Sequence, residues 1–180
     1  MRRAYRRKAP APSRCVRSIA EEFGFGTDAP PLRLRGADVQ AGGMTSLALE
    51  AETAAGARLL SDGGAARRLF RPIADACEEL AVFAYLDTDG ILLGMRHTLG
   101  ESRDSCAIPV RDVAADALAF GARAVVMAHN HPSGDPTPSR ADREATNGLA
   151  RALGPLDIRL VDHLVLARGD AVSFRVLGWL

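Results

Sequence analysis

The sequence predicts an α/β fold, a mixed β-sheet flanked by helices. Two observations predict it. Strand-like apolar runs and helix-like segments alternate from about residue 61 to 177. One of the runs, "AVVMAH" at 124–129, is apolar without a polar alternation, the pattern of a strand covered on both faces.

The elements follow in order. Ser61 or Asp62 in "SDGGAARRLF" caps a helix that runs to about Ala76 and carries Leu69, Phe70 and Ile73 on one side. Residues 79–86 form a mostly apolar strand, and "DTDG" at 87–90 turns the chain into a second, "ILLGMRHT". A third strand is expected around "SCAIPV" at 105–110. A helix begins near Arg111 and is stopped by Gly121, ahead of "AVVMAH". After a proline-rich loop, Ser139 to Leu153 is a helix ending at Gly154. "DIRLVDHLVLA" and "AVSFRVL" are two strands joined by a turn at "RGD", with Phe174, Trp179 and Leu180 expected to close the core.

Residues 1–43 read as a disordered, basic, Pro/Gly-rich extension and 44–63 as a helical lead-in, leaving 64–180 as the folded domain. Met44, which opens the alanine-rich lead-in, is an expected natural start that intact mass would test. The net charge of +1 conceals an asymmetry. Seven of the 23 basic residues lie in 1–17, where there is no acid, which leaves 16 basic against 22 acidic residues in the rest. The folded part is therefore acidic, and only the arginine-rich tail offers a contact to a phosphate backbone. No apolar run reaches the ~18 residues of a membrane helix, so no membrane association is expected. Three cysteines without a CxxC pair argue against a disulfide framework, which fits a reducing, cytoplasmic compartment.

The chemistry concentrates where the buried strand meets its loop, in "AHNHPSGDPTPSRAD" at 128–142. Residues two apart on a strand share a face, so His129 and His131 point one way and Asn130 the other. Two imidazoles on one face can hold one ion, and catalytic zinc takes three protein ligands with one position left for water. Asp135 and Asp142 are the nearest carboxylates downstream. Asp142 is the better third ligand, because it sits at a helix start, where the dipole favours an anion and the backbone holds it steady. Pro132, Pro136 and Pro138 stiffen the loop that brings this helix over the strand end. A plainer reading also exists: Ser139 and Asp142 fit the S-x-x-D capping box and explain each other as helix caps.

The stretch resembles the JAMM (MPN+) metalloprotease motif, H-x-H-P followed after six residues by S-x-x-D, and every spacing matches. Within that superfamily the chain is similar to the bacterial RadC group through "HNHPSG", "PS..AD...T" with Thr146, "VDH" at 161–163 and "IPVRDV", over residues 64–180. The resemblance implies the MPN/JAB fold, a cytidine-deaminase-like sandwich, with Zn2+ held by His129, His131 and Asp142. It further implies that Ser139 donates to the oxyanion and that a glutamate opening the first long strand acts as general base. That glutamate is Glu79, with Glu78, on the opposite face, as the alternative. His163 and Asp162 match the family's "DH" pair and are expected to support the ligands from behind.

The activity so implied is hydrolysis of a peptide or isopeptide bond by a zinc-activated water, with a peptide or protein as substrate. Two other functions compete with it. The first is a DNA-associated, repair-linked protein, although the helical hairpin motif of longer relatives is not found in residues 1–63. The second is a non-catalytic MPN scaffold, against which the complete ligand set argues.

Overall fold

The computed structural model describes residues 63–99 and 108–180. The expected extension at 1–43, nearly all of the lead-in at 44–63 with Met44, the caps Ser61 and Asp62, and most of the third strand expected at 105–110 lie outside the described residues. Val110, the last residue of that expected strand, opens a helix instead.

The chain enters as α1 (Gly63–Phe70), which buries Ala65, Ala66, Leu69 and Phe70. The helix expected to reach about Ala76 stops six residues earlier, because Pro72 has no N–H to continue the ladder and the chain tightens into a 3-10 turn over Arg71–Asp75. Strands β1 (Leu80–Leu86) and β2 (Leu92–Leu99) form an antiparallel hairpin. The Asp87 carboxylate closes its turn by accepting from the N–H groups of Asp89 and Ile91 at 2.9 and 2.8 Å. Helix α2 (Val110–Phe120) ends at Gly121, whose φ of 68° suits a residue without a Cβ. Then come β3 (Ala124–Asn130), α3 (Arg140–Leu153), β4 (Arg159–Ala167) and β5 (Asp170–Ser173).

The five strands make one mixed sheet in the order β2-β1-β3-β4-β5. Strand β3 lies near its middle, antiparallel to β1 and parallel to β4, and every one of its residues is buried. Its alternate side chains enter two separate cores. Ala124, Val126 and Ala128 pack with α1 and the 3-10 turn, whereas Val125 and Met127 pack with Val113 and Ala117 of α2 and Leu149 and Leu153 of α3. Helices therefore cover both faces, which is why the run lacks polar alternation. Among the described residues no helix is long and apolar enough to cross a membrane.

Two departures from regularity matter for the site. Between Val125 and Val126 the partner strand advances two residues, from Leu160 to Asp162, so that β4 carries one extra residue. Leu160 faces the α2/α3 core, while Val161, Leu164 and Leu166 face the α1 core. The bulge thus resets the alternation and turns His163, paired with Met127, to the face of His129.

The second departure is the last strand, which ends at Ser173 rather than continuing to 177. The Ser173 hydroxyl accepts from Val176 N–H and its carbonyl from Leu177 N–H, both at 3.1 Å, and the chain turns away. Phe174 enters the core as expected. Trp179 and Leu180 do not: they stay 37% and 38% exposed, with Trp179 T-shaped against the Phe174 ring and beneath the Arg143 guanidinium.

Candidate metal centre

Strand β3 carries the first two side chains of the site at its carboxyl end. His131 follows its last residue, yet His131 N–H still bonds Leu166 O at 2.8 Å, so the extended geometry persists and both imidazoles rise on the α3 side. Helix α3 brings the carboxylate. Its N-cap Ser139 and Asp142 form a full capping box: Ser139 Oγ accepts from Asp142 N–H at 3.1 Å, and Ser139 N–H donates to Asp142 Oδ2 at 2.7 Å. The capping reading and the ligand reading thus coexist, since the box aims the carboxylate at the histidines.

His129 Nε2 lies 2.9 Å from His131 Nε2 and 3.3 Å from Asp142 Oδ1, and His131 Nε2 lies 3.5 Å from Asp142 Oδ2. Asp142 is the carboxylate that reaches the imidazoles. Asp135, the other candidate, is fully exposed and turns its side chain to Thr137 N–H at 2.9 Å. It serves through its backbone instead, because its carbonyl meets His131 Nδ1 at 2.8 Å. A carbonyl only accepts, so the His131 hydrogen sits on Nδ1 and its Nε2 offers a lone pair. The donor set fits zinc. Tetrahedral ligand atoms 2.0–2.1 Å from a shared zinc stand about 3.3 Å apart, within the spread of these separations.

Electrostatics follow from burial. Removal from water lowers the His129 pKa to about 4, against an opposing pull from Asp142. His163, fully buried, is pushed well below the usual histidine value for the same reason. His131 moves up, first through its hydrogen bond with Asp142 and against partial desolvation, with help from the Asp135 carbonyl and the Glu79 charge. For Asp142, desolvation works upward but is outweighed by His131, His129 and the Ser139 contacts, which hold the carboxyl well below the usual range.

Glu79 is 8% exposed and lies just ahead of β1, two residues before Ala81, the partner of His129 in the sheet. Ala81 faces the α2/α3 core, which puts Glu79 on the histidine side, where its charge reaches His131. Glu78 contributes a backbone carbonyl to a different contact. Asn130, whose side chain the sequence places on the opposite face from the histidines, accepts from Leu80 N–H at 2.8 Å and donates to Ala76 O and Glu78 O, both at 3.1 Å. This clamp on the segment carrying Glu79 is absent from the sequence-based expectations. A polar side chain inside an apolar strand is the signal that points to it, because such a group must find partners.

The "DH" pair divides in two. His163 Nε2 meets His129 Nδ1 at 2.7 Å, behind the face that the other ring nitrogen presents to Asp142. Asp162 turns to the backbone and to Ser173: it accepts from His163 N–H at 2.7 Å, from Ser173 Oγ–H at 2.7 Å and from Arg175 N–H at 3.1 Å. Its influence on the cluster runs through the main chain of His163 and the start of the last turn.

Comparison with known proteins identifies a family and several relatives. A family model described as the RadC-like JAB domain matches residues 61–179. A UPF0758 protein of Vibrio cholerae is 41% identical over 102 residues, 57% of this chain and 64% of the relative. A UPF0758 protein of Chromohalobacter salexigens is 44% identical over 96 residues, 53% of this chain and 43% of the relative. One from Methylibium petroleiphilum is 40% identical over 108 residues, 60% and 49% respectively. The matches thus span less than two thirds of those relatives' own length. With the family match covering the whole sheet and the histidine–aspartate cluster at its centre, the chain belongs to the RadC-like JAB domain family.

Proposed function

We propose that the protein is a zinc-dependent hydrolase that cleaves a peptide or isopeptide bond with a metal-activated water. One observation carries the reading: His129, His131 and Asp142 present ligand atoms within 4.8 Å of one another, on two elements fixed by the sheet and by a helix cap. A divalent zinc ion bound there supplies Lewis acidity, which lowers the pKa of a water and polarises a carbonyl.

The protein's own groups divide the remaining work. Glu79, beside the histidines and shielded from solvent, takes the water's proton and returns it to the leaving amine, a role that typically contributes ~10² to 10⁴ in rate. The Ser139 oxygen accepts from Asp142 N–H, which leaves its one hydrogen available to donate to the oxyanion of the tetrahedral intermediate. Loss of such a donor costs roughly 10² or more. His131 is held by a backbone carbonyl and needs no rearrangement to act as a ligand.

The test is metal analysis of the purified protein beside its His129→Ala and Asp142→Ala variants, followed by a peptide and isopeptide library. Zinc is expected at one ion per chain and lost in both variants; unchanged zinc content in them refutes the reading. Glu79→Gln is expected to retain zinc and lose hydrolysis.

A further inference from the structure

Behind the cluster lies a hydrogen-bonded chain that the hydrolase reading leaves unused. His129 Nδ1 contacts His163 Nε2 at 2.7 Å, and His163 Nδ1 contacts Thr146 Oγ1 at 2.6 Å. Thr146 Oγ1 also contacts the carbonyl of Asp142, one helical turn earlier. His163 and Thr146 are completely buried and His129 nearly so, and Phe174 stacks on the His163 ring at 4.5 Å between centroids, which keeps the ring in place. Each link is one hydrogen shared between two atoms, so the links all point the same way or the chain is broken.

Two directions are possible, and only one suits a ligand. If Thr146 donates to His163 Nδ1, then His163 donates to His129 Nδ1, and the His129 hydrogen falls on Nε2, where it blocks a cation. If Thr146 donates to the Asp142 carbonyl, its oxygen accepts from His163 Nδ1–H. His163 Nε2 then accepts from His129 Nδ1–H, and His129 Nε2 is bare. A threonine inside a helix has that carbonyl, four residues back, as its habitual acceptor. The helix that supplies the third ligand therefore also supplies the end point of the chain.

We propose that Thr146 and His163 act as positioning residues that fix His129 in the tautomer with its hydrogen on Nδ1, and so present Nε2 to the divalent cation. The inference rests on the metal reading above. It assigns a task to a threonine that touches neither the cation nor a substrate. It also explains why a second buried histidine stands where an apolar residue would otherwise fill the core: only a group that accepts at one nitrogen and donates at the other can pass the direction along.

The experiment is zinc titration of the 180-residue chain, with long-range proton–nitrogen spectra of its histidine rings in the zinc-loaded state. His163 is expected to carry its hydrogen on Nδ1. Thr146→Val, which keeps the shape and removes the hydroxyl, is expected to weaken zinc binding about 10- to 100-fold. Thr146→Ser keeps the hydroxyl and is expected to stay within about threefold of wild type, well inside the loss expected of a broken outer link. A His163 hydrogen on Nε2 in the zinc-loaded protein overturns the inference, as does a folded Thr146→Val that binds zinc like wild type. Should Thr146→Val fail to fold, the wild-type ring spectrum and the serine variant still decide. A wild-type protein that takes up no zinc overturns the metal reading and this inference with it, whereas zinc uptake with the opposite ring tautomer overturns this inference alone.

Discussion

Strand β3 ends in polar groups on both of its faces, and the two sets differ in how they are satisfied. On the α1 side, Asn130 makes three hydrogen bonds to the main chain of residues 76–80, each partner of the right sign. On the α3 side, His131 Nε2 and the Asp142 oxygens are all acceptors, and they converge with His129 Nε2. The first cluster is complete within the protein; the second is completed only by a proton or a cation. That contrast separates a structural polar group from a chemical one better than burial does, since His129 and Asn130 are 1% and 0% exposed.

Acid disturbs the histidine side most severely. In the metal-free protein the His129 pKa of about 4 lies below its unfolded value of 6.5, so between those values the unfolded chain binds more protons and stability falls with falling pH. The shift corresponds to roughly 3 kcal/mol lost from pH 6.5 to 4. His163 acts in the same sense. His131, raised by Asp142, acts in the opposite sense, adding stability below pH 6.5 that fades as pH rises through its folded pKa. Denaturant melts across this range check the sign. A protein whose stability is flat or rising as the pH falls contradicts the burial argument. Zinc uptake is expected to weaken over the same interval, because protons compete for His131.

Next in size is Asn130→Ala, expected to cost about 2–3 kcal/mol because it removes three bonds and leaves the Leu80 N–H without its acceptor. Urea unfolding measures it, and zinc affinity should fall far less than in Asp142→Ala. An equal loss of metal would mean that the two faces are one unit. The smallest effect belongs to an exposed pair near the site. Arg140 and Glu144 meet at 2.7 Å one turn apart on α3, and Arg140→Ala is expected to change stability by no more than about 0.5 kcal/mol. A larger change would show that the charge of α3 contributes to holding Asp142.

Much of this was legible in the sequence, for reasons tied to particular residues. The unbroken apolar run at 124–129 identified the doubly covered strand, and the one-residue spacing of His129 and His131 gave their common face. Glycine at 121 and serine at 139 marked helix ends through local backbone chemistry that tertiary packing did not override. Other features depend on long-range pairing and left no local mark. The end of β5 is set by Ser173 and Asp162 acting across two strands, so the apolar pattern "AVSFRVL" overstated its length. The first helix is shorter than its apolar spacing suggests, because Pro72 ends the α-helical ladder. Alternation alone misplaces His163, because counting from Leu160 assigns it to the opposite face, and only the resemblance sets it behind the ligands.

The pairing of His163 with β3 has a consequence for anyone who moves this site elsewhere. Deleting Val161 would remove the irregularity and leave Leu160, Asp162 and His163 in regular alternation opposite Val125, Val126 and Met127, with His163 still beside His129. A graft of the three cation ligands onto another sheet would reproduce their spacing and still lose the support behind them, unless the histidine of the neighbouring parallel strand travelled with them.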